Sequence, residues 1–416
     1  MTTVILGAGI IGTSTAYYLS QSQTPSIHLV ESSPELFASS SGYAAGFLAR
    51  DWFALASASL GRLSFDLHKK LANEHDGHKT WGYARSTATS LAETIGGGEE
   101  EDWLGEGSSR VKAAKKIAEN DDTRPVWLAP RYGKPDIIDK GDGTAQLDPF
   151  ELCHYLMSEC KSRGVRLHQP AEATSLTRDP SGALSCIHVR NTATSEEYDI
   201  PCTRLVLAAG AWTSQVFQKL FPNCKIQIPV SSLAGHSLLL RSSRWPPPSS
   251  DTVPPDLNSI HHGTDDSMAG AKTQPPCHAL FTSDPAASYS PELFTRLPSG
   301  HIYLAGLNGP YPLPSLPTER IIDPEAIETL KRTAESLLGK GEFEVEREAL
   351  CWRPVTGRGV PIVGPAKNKR GEGEQDVWIA AGHGPWGISM SLGTGYVVAE
   401  MVQGRETTAD VKGLQL

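Results

Sequence analysis

Apolar residues recur along the chain with two different periods, and the first thirty residues show both. Residues 4–6 (Val-Ile-Leu) and 27–30 (Ile-His-Leu-Val) are short, largely apolar runs of the kind that forms buried parallel strands. Residues 13–20 carry apolar or small side chains at helical spacing, and a Pro-containing break follows at residues 21–26. The pattern predicts strand, helix and strand in succession, which is the β-α-β unit of an α/β fold.

The same two periods predict further elements up to the carboxyl terminus. Asp148 as N-cap and Pro149 in the first turn mark the start of one of the helices. The expected helices cover residues 55–74, 149–163, 324–338 and 388–402. Strands are expected at residues 165–168, 186–189, 204–207, 225–241, 279–281, 301–305 and 377–381. Those at 279–281 and 301–305 are expected to belong to a second domain with an antiparallel sheet.

Two long stretches contain few core-forming residues. Residues 92–109 include a Gly/Glu run and predict a solvated acidic loop. Residues 242–277 are dense in Pro, Ser, Asp and Gly and predict a long surface excursion. We assign a function to neither stretch.

The turn between the first strand and helix is a G-x-G-x-x-G motif. Its first glycine permits a tight turn, its second lets the backbone approach a pyrophosphate, and its third allows close packing of helix and sheet. Glu31 ends the second strand at the spacing expected for an acid that binds a ribose. Glycines can also simply mark turns, but the complete unit predicts a dinucleotide site for NAD or FAD. Its predicted contacts are Gly7, Gly9, Ile10, Ile11, Gly12 and Glu31.

Two further stretches have side chains small enough for the backbone to lie against a flat cofactor. Residues 38–46 are rich in hydroxyl groups and glycine, although a flexible Ser/Gly loop has the same composition. The strand at 204–207 ends in small residues that let the chain pass close to something planar. The cofactor contacts predicted here are Ser39, Ser40, Ser41, Gly42, Ala209, Gly210 and Trp212.

Composition narrows the class of protein. A chain of 416 residues is long enough for two domains, and no apolar run approaches the length of a membrane span. A formal net charge of −9 provides no basic face, so neither nucleic acid nor a membrane is expected as a partner. Seven scattered cysteines without a C-x-x-C predict a reducing compartment, and the start of the first strand near Met1 leads us to expect no signal peptide. We therefore expect a cytoplasmic location and assign no metal ligands.

Four separated stretches resemble one group of flavoenzymes. Residues 4–31, 204–213, 351–364 and 378–395 are similar in order and spacing to the FAD-dependent oxidoreductases of the D-amino acid oxidase, glycine oxidase and sarcosine oxidase superfamily. The run Gly-His-Gly-Pro-Trp-Gly-Ile at 382–388 is the most specific, because NAD-dependent Rossmann enzymes lack such a carboxyl-terminal element. The resemblance therefore implies FAD as the cofactor.

The resemblance also implies a fold class and a domain organisation. The class is α/β (α+β overall), with a Rossmann-like FAD domain interlaced with a substrate domain built on a mixed or antiparallel sheet. The FAD domain is expected at residues 1–85, 145–225 and 350–416, and the substrate domain at residues 86–144 and 226–349.

In this family the closing helix directs its N-terminus at the flavin pyrimidine ring. The partial positive charge of the helix N-terminus there stabilises the anion that forms when the flavin is reduced. The resemblance therefore implies cofactor contacts from Gly382, Gly384, Pro385, Trp386, Gly387 and Ile388. His383 and Trp386 are expected to line this turn and are candidate catalytic residues. For His383 the alternative is a turn histidine satisfied by hydrogen bonds.

Arg353 and Cys351 lie close together in a Cys-Trp-Arg-Pro sequence. D-amino acid oxidase and glycine oxidase have a similar Arg-Pro, whose guanidinium binds the substrate carboxylate, so the resemblance implies that role for Arg353. The alternative is a structural arginine paired with an acid. Cys351 occupies the position of the cysteine that bonds the flavin in sarcosine oxidase, but those relatives have Cys-x-Tyr. Covalent attachment is possible but not favoured, and we could not identify the carboxylate-binding tyrosines of the relatives.

These features imply an enzyme that oxidises the C–N bond of an amino acid or amine to an imine. Its expected partners are a small amine or amino acid substrate and oxygen, which would be reduced to hydrogen peroxide. One alternative is a flavin dehydrogenase with another electron acceptor. Another is a flavoprotein with a binding or assembly role, in which FAD is structural. The sequence does not identify the substrate or the oligomeric state.

Overall fold

The structure is a computed structural model that describes residues 1–22, 26–92, 124–247, 277–283, 289–297, 299–368 and 370–416. Most of the predicted acidic loop and surface excursion (residues 93–109 and 248–276) lies outside the described residues. Its strands are β1 (Thr2–Leu6), β2 (Ser26–Val30), β3 (Phe47–Ala49), β4 (Ala84–Ala92), β5 (Asp136–Asp139), β6 (Thr144–Gln146), β7 (Arg166–His168), β8 (Ala171–Arg178), β9 (Leu184–Asn191), β10 (Glu197–Pro201), β11 (Arg204–Leu207), β12 (Ser231–Ser242), β13 (Cys277–Ser283), β14 (Glu292–Thr295), β15 (His301–Ala305), β16 (Asn308–Gly309), β17 (Phe343–Val355), β18 (Ile362–Lys367) and β19 (Gly373–Ala381). Its helices are α1 (Ile10–Leu19), α2 (Ser40–Tyr43), α3 (Leu55–Glu74), α4 (Gly77–Thr80), α5 (Pro149–Ser162), α6 (Thr213–Leu220), α7 (Pro324–Leu338) and α8 (Ser391–Val402).

A largely parallel sheet carries the amino-terminal unit. Within the described ranges its six strands run in the order β18-β19-β11-β1-β2-β7, and only β18 is antiparallel to its neighbour. Helices α1, α5 and α8 cover one face, where Tyr18 meets Tyr396 edge to face at 5.0 Å. The other face packs on α6 and on the antiparallel sheet β8-β9-β10. This arrangement confirms the predicted α/β class.

A mixed sheet forms the second layer of the molecule. In the described part of the chain its main path is β16-β12-β15-β14-β13-β4-β6-β3, with β17 paired to β12 and β5 to β4. Its pairings are antiparallel except for β13 with β4. Helix α7 covers one face, and a cluster of aromatic side chains that includes Phe47, Phe281 and Phe294 covers the opposite face. Two members of this cluster, Phe47 and Tyr303, line the cavity described below.

Local sequence determines the ends of several helices. Helix α5 starts as predicted, because the Asp148 side chain accepts a hydrogen bond from the Phe150 N–H. The predicted bounds of α3 and α7 are confirmed. Helix α8 begins at Ser391 rather than at residue 388, so its predicted start is wrong. A 3₁₀ turn, Gly384–Trp386, precedes it, and the Ser389 hydroxyl bonds both backbone groups of Ala49.

The expected boundaries of the FAD and substrate domains stay a prediction. All six strands of the parallel sheet fall within the segments expected for the FAD domain, whereas β17 of the mixed sheet continues past residue 350. No helix among the described residues has the length and apolar character needed to cross a membrane.

Candidate active site

A cavity of about 690 Å³ lies between the two large sheets. Its floor is formed where strands β1, β2 and β11 end at Leu6, Val30 and Leu207, and its opposite wall includes Tyr303 and Arg353 of the mixed sheet. Ligands of open parallel sheets bind beyond the carboxyl ends of the strands. The position of the cavity is therefore that of a cofactor site with a substrate domain above it.

The glycine turn is shaped by close contacts. Gly7 has a φ of +99°, and a Cβ there would lie 2.5 Å from the Ala208 carbonyl oxygen. A Cβ on Gly12 would lie 1.9 Å from the Gly7 oxygen. A Cβ on Gly9 would meet only the Ser41 hydroxyl oxygen, at 3.0 Å. Gly7 and Gly12 are thus needed by the protein backbone, whereas Gly9 leaves open space on the cavity side.

Glu31 and Ser41 converge on this turn. The Glu31 carboxylate accepts hydrogen bonds from the backbone N–H groups of Ala8, at 2.8 Å, and Ser33, at 2.9 Å. Burial raises the pKa of Glu31, and these backbone donors oppose that shift. The Ser41 hydroxyl accepts from the Ile10 N–H at 2.9 Å. The predicted ribose acid and the predicted hydroxyl-rich loop are therefore brought together at the N-terminus of α1.

Most of the predicted site residues line the cavity. They are Gly7, Gly9, Ile10, Ile11, Glu31, Ser39, Ser40, Ser41, Ala209, Gly210, Trp212, Cys351, Arg353, His383, Gly384, Pro385, Gly387 and Ile388. The chain thus brings together stretches separated by up to about 380 residues.

Four predicted site residues are not among the residues described as lining the cavity, namely Gly12, Gly42, Gly382 and Trp386. The three glycines allow close packing: a Cβ on Gly42 would lie 2.4 Å from the Phe37 oxygen, and one on Gly382 would lie 2.4 Å from a Thr356 methyl group. The Trp386 ring packs edge-on against Phe53, with 5.0 Å between the ring centres. The ring also packs on the aromatic cluster that includes Phe47, and the catalytic role of Trp386 stays a prediction.

His383 is buried at the edge of the cavity. Its Nε2 is 3.0 Å from the Thr394 hydroxyl, and its Nδ1 has no hydrogen-bond partner among the described residues. Burial lowers the pKa of His383 to about 3, so the ring is neutral near pH 7. A neutral imidazole with one free nitrogen can exchange a hydrogen bond with a ligand, but it does not carry positive charge.

Arg353 lies half-buried on β17, on the wall of the cavity. Its Nη1 donates a hydrogen bond to the amide oxygen of Asn308. It makes no ion pair with any acid in the described ranges, unlike the arginine expected from the structural alternative. The guanidinium therefore keeps an uncompensated charge at the cavity wall, as carboxylate binding requires.

Cys351 lies two residues before Arg353 on the same strand and also lines the cavity. Burial raises the pKa of its thiol, although Arg353, Arg347 and Arg320 act in the opposite direction. The thiol is thus mostly protonated near pH 7, and a protonated thiol is a poor nucleophile.

Two tyrosines that the sequence did not single out also line the cavity. The Tyr303 hydroxyl donates to the Tyr43 carbonyl oxygen at 2.7 Å, and burial raises the pKa of Tyr303. The guanidinium groups of Arg320 and Arg347 both lie against the Tyr43 ring, each 4.7 Å from the ring centre. Tyr43 belongs to the predicted hydroxyl-rich loop, so its position in that loop was a usable signal, whereas Tyr303 had none.

One cluster outside the cavity resembles a metal site. Ligand atoms of Cys186, His188 and Asp199 lie within 4.8 Å of one another on the antiparallel sheet β8-β9-β10. However, His188 already bonds Asp199 at 2.6 Å through Nδ1 and Thr177 at 2.7 Å through Nε2. Both ring nitrogens are therefore engaged within the protein.

The lining of the cavity fits FAD. Two buried polar atoms on the cavity wall, Ser39 Oγ and His383 Nδ1, have no partner among the described residues and are available to a ligand. The space beside Gly9, the N-terminus of α1 and the carboxylate of Glu31 suit a pyrophosphate next to a ribose.

Comparison with known proteins agrees with this geometry. The chain is 27% identical to C1F5.03c of Schizosaccharomyces pombe, which carries a provisional oxidoreductase name, over 98% of this chain and 96% of the relative. Its fold is similar to glycine oxidase from Geobacillus kaustophilus (TM-score 0.72, 18% identity, 100% and 97% of the two chains) and to L-proline dehydrogenase from P. horikoshii (TM-score 0.69, 15% identity, 100% and 96%). The family model described as DAO, FAD dependent oxidoreductase, matches residues 2–401. The chain therefore belongs to the DAO family of FAD-dependent oxidoreductases, whose members bind FAD.

Proposed function

We propose that this oxidoreductase converts the C–N bond of an amino acid to a C=N bond, with oxygen as the final electron acceptor. The observation that carries the proposal is the Arg353 guanidinium, which lies on the cavity wall and has no acid partner among the described residues. A substrate carboxylate would supply the missing negative charge. Amines without a carboxylate would lack this contact and are expected to be poorer substrates.

FAD, when bound, supplies the oxidising power, taking up two electrons and the hydrogen from the substrate carbon. The nitrogen loses a proton as the C=N bond forms, and water then hydrolyses the imine in solution. The protein contributes binding and alignment: Arg353 holds the carboxylate, and the aromatic face of the mixed sheet excludes water. The neutral His383 ring serves as a hydrogen-bonding group rather than as a cation.

We further propose that FAD is held without a covalent bond. A cysteine must lose its proton before it attacks, and burial keeps the Cys351 thiol protonated. The non-covalent contacts proposed come from residues that line the cavity, namely Gly7, Gly9, Ile10, Ile11, Glu31, Ser39, Ser40, Ser41, Gly384, Pro385, Gly387 and Ile388.

An anaerobic substrate panel tests the reaction. Purified holoenzyme is mixed without oxygen with D-, L-, N-methyl and cyclic amino acids and with simple amines, and the loss of the visible flavin absorbance is followed. At least one amino acid should bleach the flavin. Failure of every amino acid, with bleaching by simple amines only, would refute the carboxylate role.

The same panel includes Arg353→Lys as a matched variant that keeps the charge. Losing a charge-assisted contact costs about 1.5–3 kcal/mol, so kcat/KM for the best amino acid should fall roughly ten- to 150-fold. FAD content should not change. Readmitting air then identifies the acceptor: rapid return of the oxidised spectrum with peroxide release supports an oxidase, whereas slow return favours the dehydrogenase alternative.

A further inference from the structure

The Arg353 side chain reaches across a neighbouring strand. On β17, Arg353 is paired with Leu233 of β12, while Asn308 of β16 is paired with Gly235 of β12. The hydrogen bond from Arg353 Nη1 to Asn308 Oδ1 therefore spans β12 at the level of Gly235. The partner of Arg353 is an amide from a different strand, 45 residues earlier in the chain.

Gly235 makes this path possible. A Cβ on Gly235 would lie 2.6 Å from Arg353 Nη1 and 2.7 Å from Asn308 Oδ1, which is too close for either atom to remain in place. The backbone of Gly235 is outside the left-handed region, so its conformation alone does not call for glycine. The physical reason for a glycine here is the space that the guanidinium occupies.

The orientation of Asn308 is also determined by the protein. Its Nδ2 donates to the Gly306 carbonyl oxygen at 3.1 Å, which leaves Oδ1 as the atom facing Arg353. An amide oxygen accepts one guanidinium hydrogen without contributing negative charge. By contrast, the buried Arg296 pairs with Asp148 at 3.1 Å, so its charge is compensated within the protein.

We infer that Asn308 and Gly235 are positioning residues that aim the Arg353 guanidinium at the substrate carboxylate while leaving its charge uncompensated. The inference rests on the proposed function. A guanidinium has five N–H donors, and the bond to Asn308 uses one. The others remain available for a bidentate contact with a carboxylate. Replacing the amide by an acid would satisfy Arg353 internally and make it a structural ion pair.

Asn308→Asp tests the charge part of the inference. The holoenzyme is titrated with acetate and propionate, and binding is measured from the change in the visible spectrum of its flavin. We expect the Kd for both anions to rise at least about tenfold, because the new carboxylate competes for the guanidinium. Asn223→Asp, at an exposed turn away from the cavity lining, adds the same charge and should leave the Kd unchanged.

Gly235→Ala tests the steric part and remains informative if Asn308→Asp fails to fold. The added methyl group should displace the guanidinium and also raise the Kd about tenfold or more. Gly133→Ala is its control, because a Cβ at Gly133 meets nothing within 4 Å. FAD content should equal that of the wild type in all four variants.

The outcomes separate the two proposals. Loss of anion binding in Arg353→Lys would show that the wild type binds the anions through Arg353. If, in that case, neither Asn308→Asp nor Gly235→Ala weakens the binding, the positioning inference is wrong. If wild-type holoenzyme binds no carboxylate at all, the proposed carboxylate role and the inference both fail.

Discussion

The first and second glycines of the G-x-G-x-x-G turn should respond differently to substitution. At Gly7 the φ of +99° disfavours any side chain, and a Cβ would lie 2.5 Å from a backbone oxygen that cannot move aside easily. At Gly9 the backbone is extended, with a φ of −65°, and only the Ser41 hydroxyl is near. We therefore expect Gly7→Ala to destabilise the fold and Gly9→Leu to spare it while filling the proposed pyrophosphate space.

The magnitudes follow from these contacts. Left-handed backbone at a residue other than glycine costs about 1–3 kcal/mol, and overpacking against backbone adds roughly as much again. Gly7→Ala should thus lower the free energy of unfolding by about 2–6 kcal/mol, a large share of the 5–15 kcal/mol typical of proteins. For Gly9→Leu we expect about 1 kcal/mol or less, which is the difference between glycine and an apolar residue at a helix N-cap.

Urea unfolding of the apoprotein, followed by circular dichroism, measures the free energy of unfolding of each variant. Gly164→Ala is the matched control: Gly164 has a φ of +85°, but a Cβ there meets nothing within 4 Å. It should therefore show the conformational cost without the clash. The visible spectrum of each purified variant measures its FAD content and so shows whether the pyrophosphate space is still open.

Gly9→Leu should give stable, colourless protein, whereas Gly7→Ala should lose both stability and cofactor. A yellow Gly9→Leu protein with wild-type FAD content would refute the placement of the pyrophosphate. Equal destabilisation by Gly7→Ala and Gly164→Ala would show that the contact with Ala208 has no energetic weight.

Two further predictions follow from buried groups. Acid precipitation of wild-type protein should release the flavin into the supernatant, since the buried Cys351 thiol stays protonated; flavin retained in the pellet, and lost from it in Cys351→Ala, would establish a thioether instead. Burial lowers the pKa of His28, His68 and His278 to about 4, below the ordinary 6.5, so that the unfolded chain binds more protons than the folded one between these values. The free energy of unfolding should therefore have its full value above pH 6.5 and fall as the pH drops towards 4. The fall should be less steep in His68→Gln. Urea midpoints that do not change with pH over this range would contradict the prediction.

Elements determined by neighbouring residues could be predicted from the sequence. Helix α5 begins at the Asp148 cap, and helices α3 and α7 follow apolar periodicity, since these signals act within a few residues. The glycine turn with its acid also belongs to this class, because strand, turn and helix are contiguous. The sequence by itself therefore determined the α/β class, the dinucleotide-type turn and, through the family resemblance, FAD.

Only the tertiary structure decided which side chains meet across the cavity. Asn308 and Gly235 reach Arg353 from strands 45 and 118 residues away, and no local pattern marks them. Trp386 lies in the most specific motif, and its ring meets Phe53 from a distant part of the chain edge-on. Likewise Ser389, which lies just before the start of α8 at Ser391, makes a hydrogen bond with Ala49, 340 residues earlier in the chain. Contacts of this kind depend on how the sheets pack, which periodicity does not encode.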